Sequence, residues 1–172
     1  MGAEQQGATA TDGRWLVIPR TLSFVFSQDD VLLMKRSPHR RVFPNQYNGL
    51  GGHIERDEDP YTAALREIRE ECGLPVHHLT LRAVHQVDTA QSTGILLFVF
   101  TAETDERALQ NTSDEGTLHW VPLKSLAEYD LVEDLPLILP QLAASRGSGN
   151  LRFAHVSYDA QDQIVMRYAE LL

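Results

Sequence analysis

Residues 51–74 read GGHIERDEDPYTAALREIREECGL, and the rest of the chain is understood from this stretch. Asp59 can cap a helix with its side-chain oxygen. Pro60 suits the first helical position, where a missing N–H costs nothing. Asp57 and Glu58 put negative charge at the positive end of the helix dipole. Gly73 is a left-handed stop, with Pro75 just beyond it. These signals predict a helix over 60–72. Tyr61, Ala64, Leu65, Ile68 and Cys72 recur at helical spacing and form an apolar stripe. Glu67, Glu70 and Glu71 fall on another face.

Three carboxylates on one helical patch repel each other, by about a few tenths of a kcal/mol per pair one turn apart. A face meant only for solubility would mix in lysines, and this one has none. Hard divalent cations take oxygen ligands and often bridge carboxylates to phosphate. A merely solvated acidic helix would still have to account for the paired glycines, the cap and the Arg66-Glu67 step. Gly51 and Gly52 let the backbone turn tightly and come close to a metal or ligand.

At these residues the stretch resembles the Nudix box, G-x5-E-x7-R-E-U-x-E-E-x-G-U with U aliphatic. Every defined position matches, from Gly52 and Glu58 through Arg66, Glu67, Ile68, Glu70 and Glu71 to Gly73 and Leu74. The resemblance implies a Nudix hydrolase, which cleaves a nucleoside diphosphate linked to another moiety, with Mg²⁺ or Mn²⁺ as cofactor. It implies an α/β fold of the mixed α+β kind, a mixed β-sheet sandwiched between α-helices. It carries metal binding onto Glu67, Glu70 and Glu71 with the backbone carbonyl of Gly51. Arg66 resembles the box arginine, which orients a neighbouring glutamate by a charge-assisted pair. Glu58 either completes the outer metal sphere or simply favours the helix start. Outside the box, Glu115 sits in the loop before Trp120. MutT-like relatives draw a metal ligand or general base from such a loop, and an ordinary surface acid is the other reading. Which carboxylate acts as base stays open, because family members differ. His53 is read as structural or exposed, since magnesium sites prefer oxygen.

A narrower resemblance extends over most of the chain. VLLMKR at 31–36, a basic loop, YNGLGG at 47–52 and then the box resemble the MutT-like subgroup that sanitises oxidised purine nucleotides such as 8-oxo-dGTP. Asn48 matches that subgroup's Asn before the glycines. Glu133 and Asp134 in LVEDLPLILP match its paired acids that read the purine base; capping the following helix is the alternative role. LRFAHVSYD resembles its final aromatic hairpin. Two departures stand out: Leu131 replaces a base-stacking Trp, and the first acid is Glu133 rather than Asp. Lys35 and Arg36 open a loop with two prolines and four basic residues between Lys35 and Arg41. With Phe43 they are candidate substrate contacts, against the plain reading of a solvated loop.

The 172 residues suffice for one domain with a real core. The expectation is a loose tail over 1–13 and a single domain over 14–172. MGAEQQGATATDG has neither the basic start nor the apolar run of a signal peptide. A net charge of −9, from 15 basic and 24 acidic residues, argues against a nucleic acid polymer or an anionic membrane as partner. A small nucleotide substrate held by a metal and a few local cations remains compatible. Cys72 is the single cysteine, so there is no internal disulfide framework. No apolar run approaches the roughly 20 residues that span a membrane. The chain reads as cytoplasmic, and the sequence specifies no oligomeric state.

Elsewhere the pattern predicts an edge segment over 14–18 ended by Pro19. A hairpin of 21–26 and 31–34 follows, then strands over 79–88 and 95–102, an irregular stretch over 104–115 and a strand over 117–121. Short helices are expected from Leu123 to Tyr129 and from Asp134 to Ala144. In the second, Leu135, Leu137, Ile138, Leu139 and Leu142 are expected largely inside, with a kink or break at Pro140. SRGSGN reads as a flexible turn, and 151–158 with 163–168 as a last hairpin. The first functional expectation is a pyrophosphohydrolase of nucleoside triphosphates. A hydrolase of ADP-ribose or dinucleoside polyphosphates is the second. A non-catalytic nucleotide-sensing module is the third, although such modules usually lose box carboxylates and this chain keeps all of them.

Overall fold

Leu16–Ser27 (β1) and Asp30–Arg36 (β2) form the expected hairpin, with Val25 opposite Leu32. Alternation along these strands sets the two faces of the sheet, since successive side chains of a strand point to opposite sides. Leu22, Phe24, Phe26, Val31 and Leu33 enter one core, and Val25, Leu32 and Met34 enter the other. The computed structural model describes residues 3–8, 12–109, 114–146 and 149–170. Further elements are β3 (Tyr47–Asn48), α1 (Pro60–Cys72), β4 (His77–Val87), β5 (Thr93–Glu103) and β6 (Gly116–Pro122). Then follow α2 (Leu135–Ala144), β7 (Arg152–Tyr158) and β8 (Ile164–Tyr168). The strands run in the order β3-β2-β1-β5-β4-β7-β8, with β6 also paired to β2. β1 with β5 and β4 with β7 are parallel, and the other pairs are antiparallel.

The two cores lie on opposite faces. Leu135, Ile138, Leu139 and Leu142 of α2 close the first, and Ile68 and Cys72 of α1 close the second. A mixed sheet between helices is thus the observed architecture, as expected. Helix α1 spans the predicted residues: Asp59 accepts from the Tyr61 and Thr62 amides, and Gly73 turns left-handed at φ 68°. Among the described residues no helix is long and apolar enough to cross a membrane.

Several local expectations need correction. Pro19 does not end an edge segment, because β1 runs through it and pairs with β5 from Leu16 to Phe26. The missing N–H is tolerated because the other side of this half of β1 faces no continuous strand. A loop meets it there through the bridges Arg20–His53 and Ser23–Leu50. On α1, Tyr61 is exposed and Ala63 is buried in its place. On α2, Leu137 is 41% exposed, because it sits on the solvent side of the stripe formed by Leu135, Ile138 and Leu142. Pro140 lies inside α2 without ending it. Residues 123–128 are a 3-10 turn. In the tail, Ala3–Gln6 form one 3-10 turn, while 1–2 and 9–11 lie outside the described residues. So do 110–113 of the irregular stretch and 147–148 of the expected turn.

Candidate active site

The glycine segment lies directly on β1. The Thr21 amide donates to the Gly52 carbonyl at 2.9 Å, and the Leu50 amide to the Ser23 carbonyl at 2.9 Å. Gly51 has φ 140°, and a Cβ there would stand 2.3 Å from the Thr21 carbonyl oxygen. Only glycine permits that approach. It turns the Gly51 N–H onto Glu71 Oε2 at 2.8 Å, so the loop and α1 are fixed to each other. A Cβ at Gly52 would stand 2.5 Å from Glu67 Oε1, so this glycine leaves room for a box carboxylate.

Arg66 organises the acidic face. Its Nε and Nη2 grip both oxygens of Glu58, at 3.0 and 2.6 Å. Its Nη1 donates to Glu67 at 2.9 Å and to Glu70 at 3.1 Å, and Nη2 also reaches the His53 carbonyl at 3.1 Å. Glu58 thus holds the arginine that positions the other two acids, and the Arg66 bond keeps its carboxyl below the usual range. Glu70 is the most exposed of the three box acids on α1 that the resemblance makes metal ligands, its side chain 59% accessible.

Glu71 is the most deeply placed. Burial pushes its carboxyl up to about 8, against the lowering effect of the Gly51 N–H, and Glu67 and Glu115 push it further up. Glu115 reaches Glu71 side chain to side chain and pairs with Arg40 at 3.5 Å. Burial also raises Glu67. Glu67, Glu71 and Glu115 converge as an all-oxygen donor set, and a hard divalent cation suits them. The residues present therefore fit Mg²⁺ or Mn²⁺.

A cavity of about 640 Å³ opens beside these acids. Gly51, Gly52, Glu67 and Glu115 line it together with Arg20, Arg36 and Arg40. The same cavity is lined by Phe43, Asn48, Glu133 and Asp134 and by an apolar wall that includes Leu97 and Val156. Lys35 does not line it; its ammonium lies 5.7 Å from the Tyr47 ring centre. Asn48 turns its carbonyl oxygen to the Gly49 amide at 2.8 Å, which leaves its NH₂ as the donor for a ligand. Asp134 stands at the N-cap of α2 but makes no side-chain capping bond. Burial, followed by the Glu133 charge, pushes it up to about 6. Tyr158 donates its hydroxyl to Glu133 and is raised by burial and by that bond.

Sequence reasoning missed Arg20, His85 and Tyr158, and it counted Arg40 among the basic-loop cations near phosphate without singling it out. Arg20 and Arg40 supply cationic wall, and nothing but their position near the glycines or in the basic loop marks them. His85 is 1% exposed, and burial with the Arg152 charge lowers it to about 4, so it stands neutral at the cavity wall. No local pattern marks it, because strand alternation does not distinguish a buried imidazole from any other inward residue.

The NUDIX domain model matches residues 18–142, and the chain belongs to that family, whose enzymes hydrolyse phosphoric anhydrides. Nucleoside triphosphatase NudI of Escherichia fergusonii is 31% identical over 124 residues, which is 65% of this chain and 88% of that protein. Of three other curated relatives the chain spans 17%, 15% and 57% of the length. In structure the chain is similar to a MutT protein from Bacillus halodurans, with TM-score 0.72 and 22% identity over 88% of this chain and 97% of that one. It is also similar to the NUDIX domain of Shewanella oneidensis NrtR complexed with ADP ribose. There the TM-score is 0.68 and the identity 19%, over 84% of this chain and 97% of that one.

Proposed function

We propose that this chain is a metal-dependent pyrophosphohydrolase of nucleoside triphosphates, releasing a nucleoside monophosphate and pyrophosphate. Oxidised purine nucleotides such as 8-oxo-dGTP are the substrates its base-side residues suit. One observation carries the reading: a single cavity is lined both by the box acid Glu67 and by Glu115 with three arginines, and by Asn48, Glu133 and Asp134. Anhydride chemistry needs the first set, and a nucleobase needs the second. Of the five buried side-chain polar atoms without a partner among the described residues, four belong to residues of this cavity wall: Arg20, Thr21, His85 and Asp134. Such atoms cost stability unless something polar satisfies them. The triphosphatase name of the NudI relative points the same way.

Glu67, Glu70, Glu71 and Glu115, with the Gly51 carbonyl, would hold the cation. Bound there, it supplies charge neutralisation and an activated water. Arg36 and Arg40 bind phosphate oxygens. Arg66 keeps Glu67 and Glu70 in place, and a carboxylate of the set takes the proton of the attacking water. Asn48 donates to the base from its NH₂. Asp134, pushed up to about 6 by burial, offers a donor below that pH beside the acceptor Glu133.

A panel of nucleoside triphosphates, 8-oxo-dGTP, ADP-ribose and dinucleoside polyphosphates, assayed with Mg²⁺ and with products separated, tests this. Monophosphate and pyrophosphate from the triphosphates, with a higher kcat/KM for 8-oxo-dGTP, is the expected result. Preferential cleavage of ADP-ribose would replace the substrate class, and binding without turnover would replace the enzyme reading.

A further inference from the structure

Strand β4 opens on two histidines, His77 and His78. Neighbours in a regular strand point to opposite faces. Here the register slips: His77 lies opposite Glu103, whereas Thr80 lies opposite Thr101. Three steps on β4 match two on β5, which is a bulge. His78 takes a left-handed φ of 54° within it. The two imidazoles are thereby brought to one place, with ring centres 4.7 Å apart and planes at 88°. Their Nδ1 atoms are 3.1 Å apart, and Glu103 Oε2 is 3.4 Å from the Nδ1 of His78.

Two features favour a cation over a chance cluster of polar side chains. Zinc bonds to nitrogen and oxygen of about 2.0–2.2 Å place tetrahedral ligand atoms roughly 3.3 Å apart. The two separations fall on either side of that value, and all three ligand atoms lie within 4.8 Å of one another. Behind the His77 ring, Asp105 Oδ2 faces the other nitrogen, Nε2, at 3.7 Å. That carboxylate is 99% exposed and beyond hydrogen-bond reach, so it adds negative charge beside the ring without fixing its tautomer. The side chains are reachable from solvent, His78 being 75% exposed.

We propose that His77, His78 and Glu103 form a second metal site, of the transition-metal type, which takes Zn²⁺ with its fourth position open to water. Imidazole nitrogen suits zinc, whereas the all-oxygen box suits magnesium, so the two sites select different ions. None of the three residues lines the cavity of the box acids. The site ties the first residue of β4 to the last of β5, a short connection after the Gly73 cap of α1. A bound ion would therefore clamp the sheet where the chain leaves the catalytic helix.

Calorimetric titration of the full chain with ZnCl₂, in excess Mg²⁺, tests the site. One zinc equivalent and a rise in Tm are expected for the wild type. His78→Asn, chosen because Asn tolerates the left-handed φ, should weaken zinc binding at least tenfold and abolish the Tm rise. Glu103→Gln should weaken binding several-fold. Both variants should keep Mg²⁺-dependent turnover. Co²⁺ in place of zinc should give the intense visible absorption of a four-coordinate ion in the wild type and not in His78→Asn. Undiminished zinc affinity and Tm rise in both variants, or no zinc uptake by the wild type, would overturn the proposal.

Discussion

Arg66 grips both carboxylate oxygens of Glu58, with Nε at 3.0 Å and Nη2 at 2.6 Å, eight residues back along the chain. The same guanidinium holds Glu67 and Glu70. Two of the expected metal-binding acids therefore depend on one planar fork, and Glu58 fixes that fork.

Arg66→Lys keeps the charge and loses the fork. Partners that orient a metal's ligands typically matter about 10–100-fold in affinity or activity. Turnover should fall by about that factor, and the Mg²⁺ concentration for half-maximal rate should rise. Glu58→Gln should move both in the same direction by less. Steady-state kinetics across a Mg²⁺ series reads both. Normal metal dependence in Arg66→Lys would show that the fork does not position the acids.

The adjacent glycines should fail in different ways. Gly51→Ala forces Cβ onto the Thr21 backbone carbonyl at a left-handed φ, and backbone cannot yield cheaply. A loss of roughly 2–4 kcal/mol of stability is expected. In Gly52→Ala the obstacle is the tip of the Glu67 side chain, which can swing away. Its Tm should move little while kcat falls about 10–100-fold, because the carboxylate is displaced. Thermal melts and kcat for the two variants separate the cases.

The helix was legible because its signals are local: Asp59, Pro60 and Gly73 each set one torsion or one hydrogen bond at their own position. The passage of β1 through Pro19 was not, because it depends on pairing with β5, far along the chain. Burial on α1 was misjudged for Tyr61 because spacing gives a face but not how far the face is covered. The box acids were readable from residues and resemblance together. Of the cavity wall, Arg36, Phe43, Asn48, Glu133 and Asp134 were singled out in the sequence, whereas Arg20, His85 and Tyr158 were not, because they come from three separate strands that meet only in the sheet.

Asp134 should make stability depend on pH in an unusual direction. Its folded value of about 6 lies above the ordinary 3.8. The folded state thus holds more protons between about pH 4 and 6, and stability falls as pH rises through that window. Below about pH 4 the penalty is absent, and above about pH 6 it is complete. Asp134→Asn removes it and should be more stable than wild type at pH 8, by on the order of 1–3 kcal/mol, with no difference at pH 4. The variant should also change the ratio of kcat/KM between 8-oxo-dGTP and dGTP. Denaturant melts at the two pH values and paired kinetics check both. A stability loss of about 1 kcal/mol in Asp134→Ala would instead restore the capping role.

The most direct measurement is the Mg²⁺ dependence of nucleoside triphosphate hydrolysis in wild type and in Glu70→Gln. That substitution keeps the size of the side chain and removes its charge at an exposed position, so folding should be unaffected. Wild-type activity should vanish with chelator and return with Mg²⁺ or Mn²⁺. Folded Glu70→Gln should turn over orders of magnitude more slowly. Near-normal turnover in that variant, or full activity in chelator, would contradict the account.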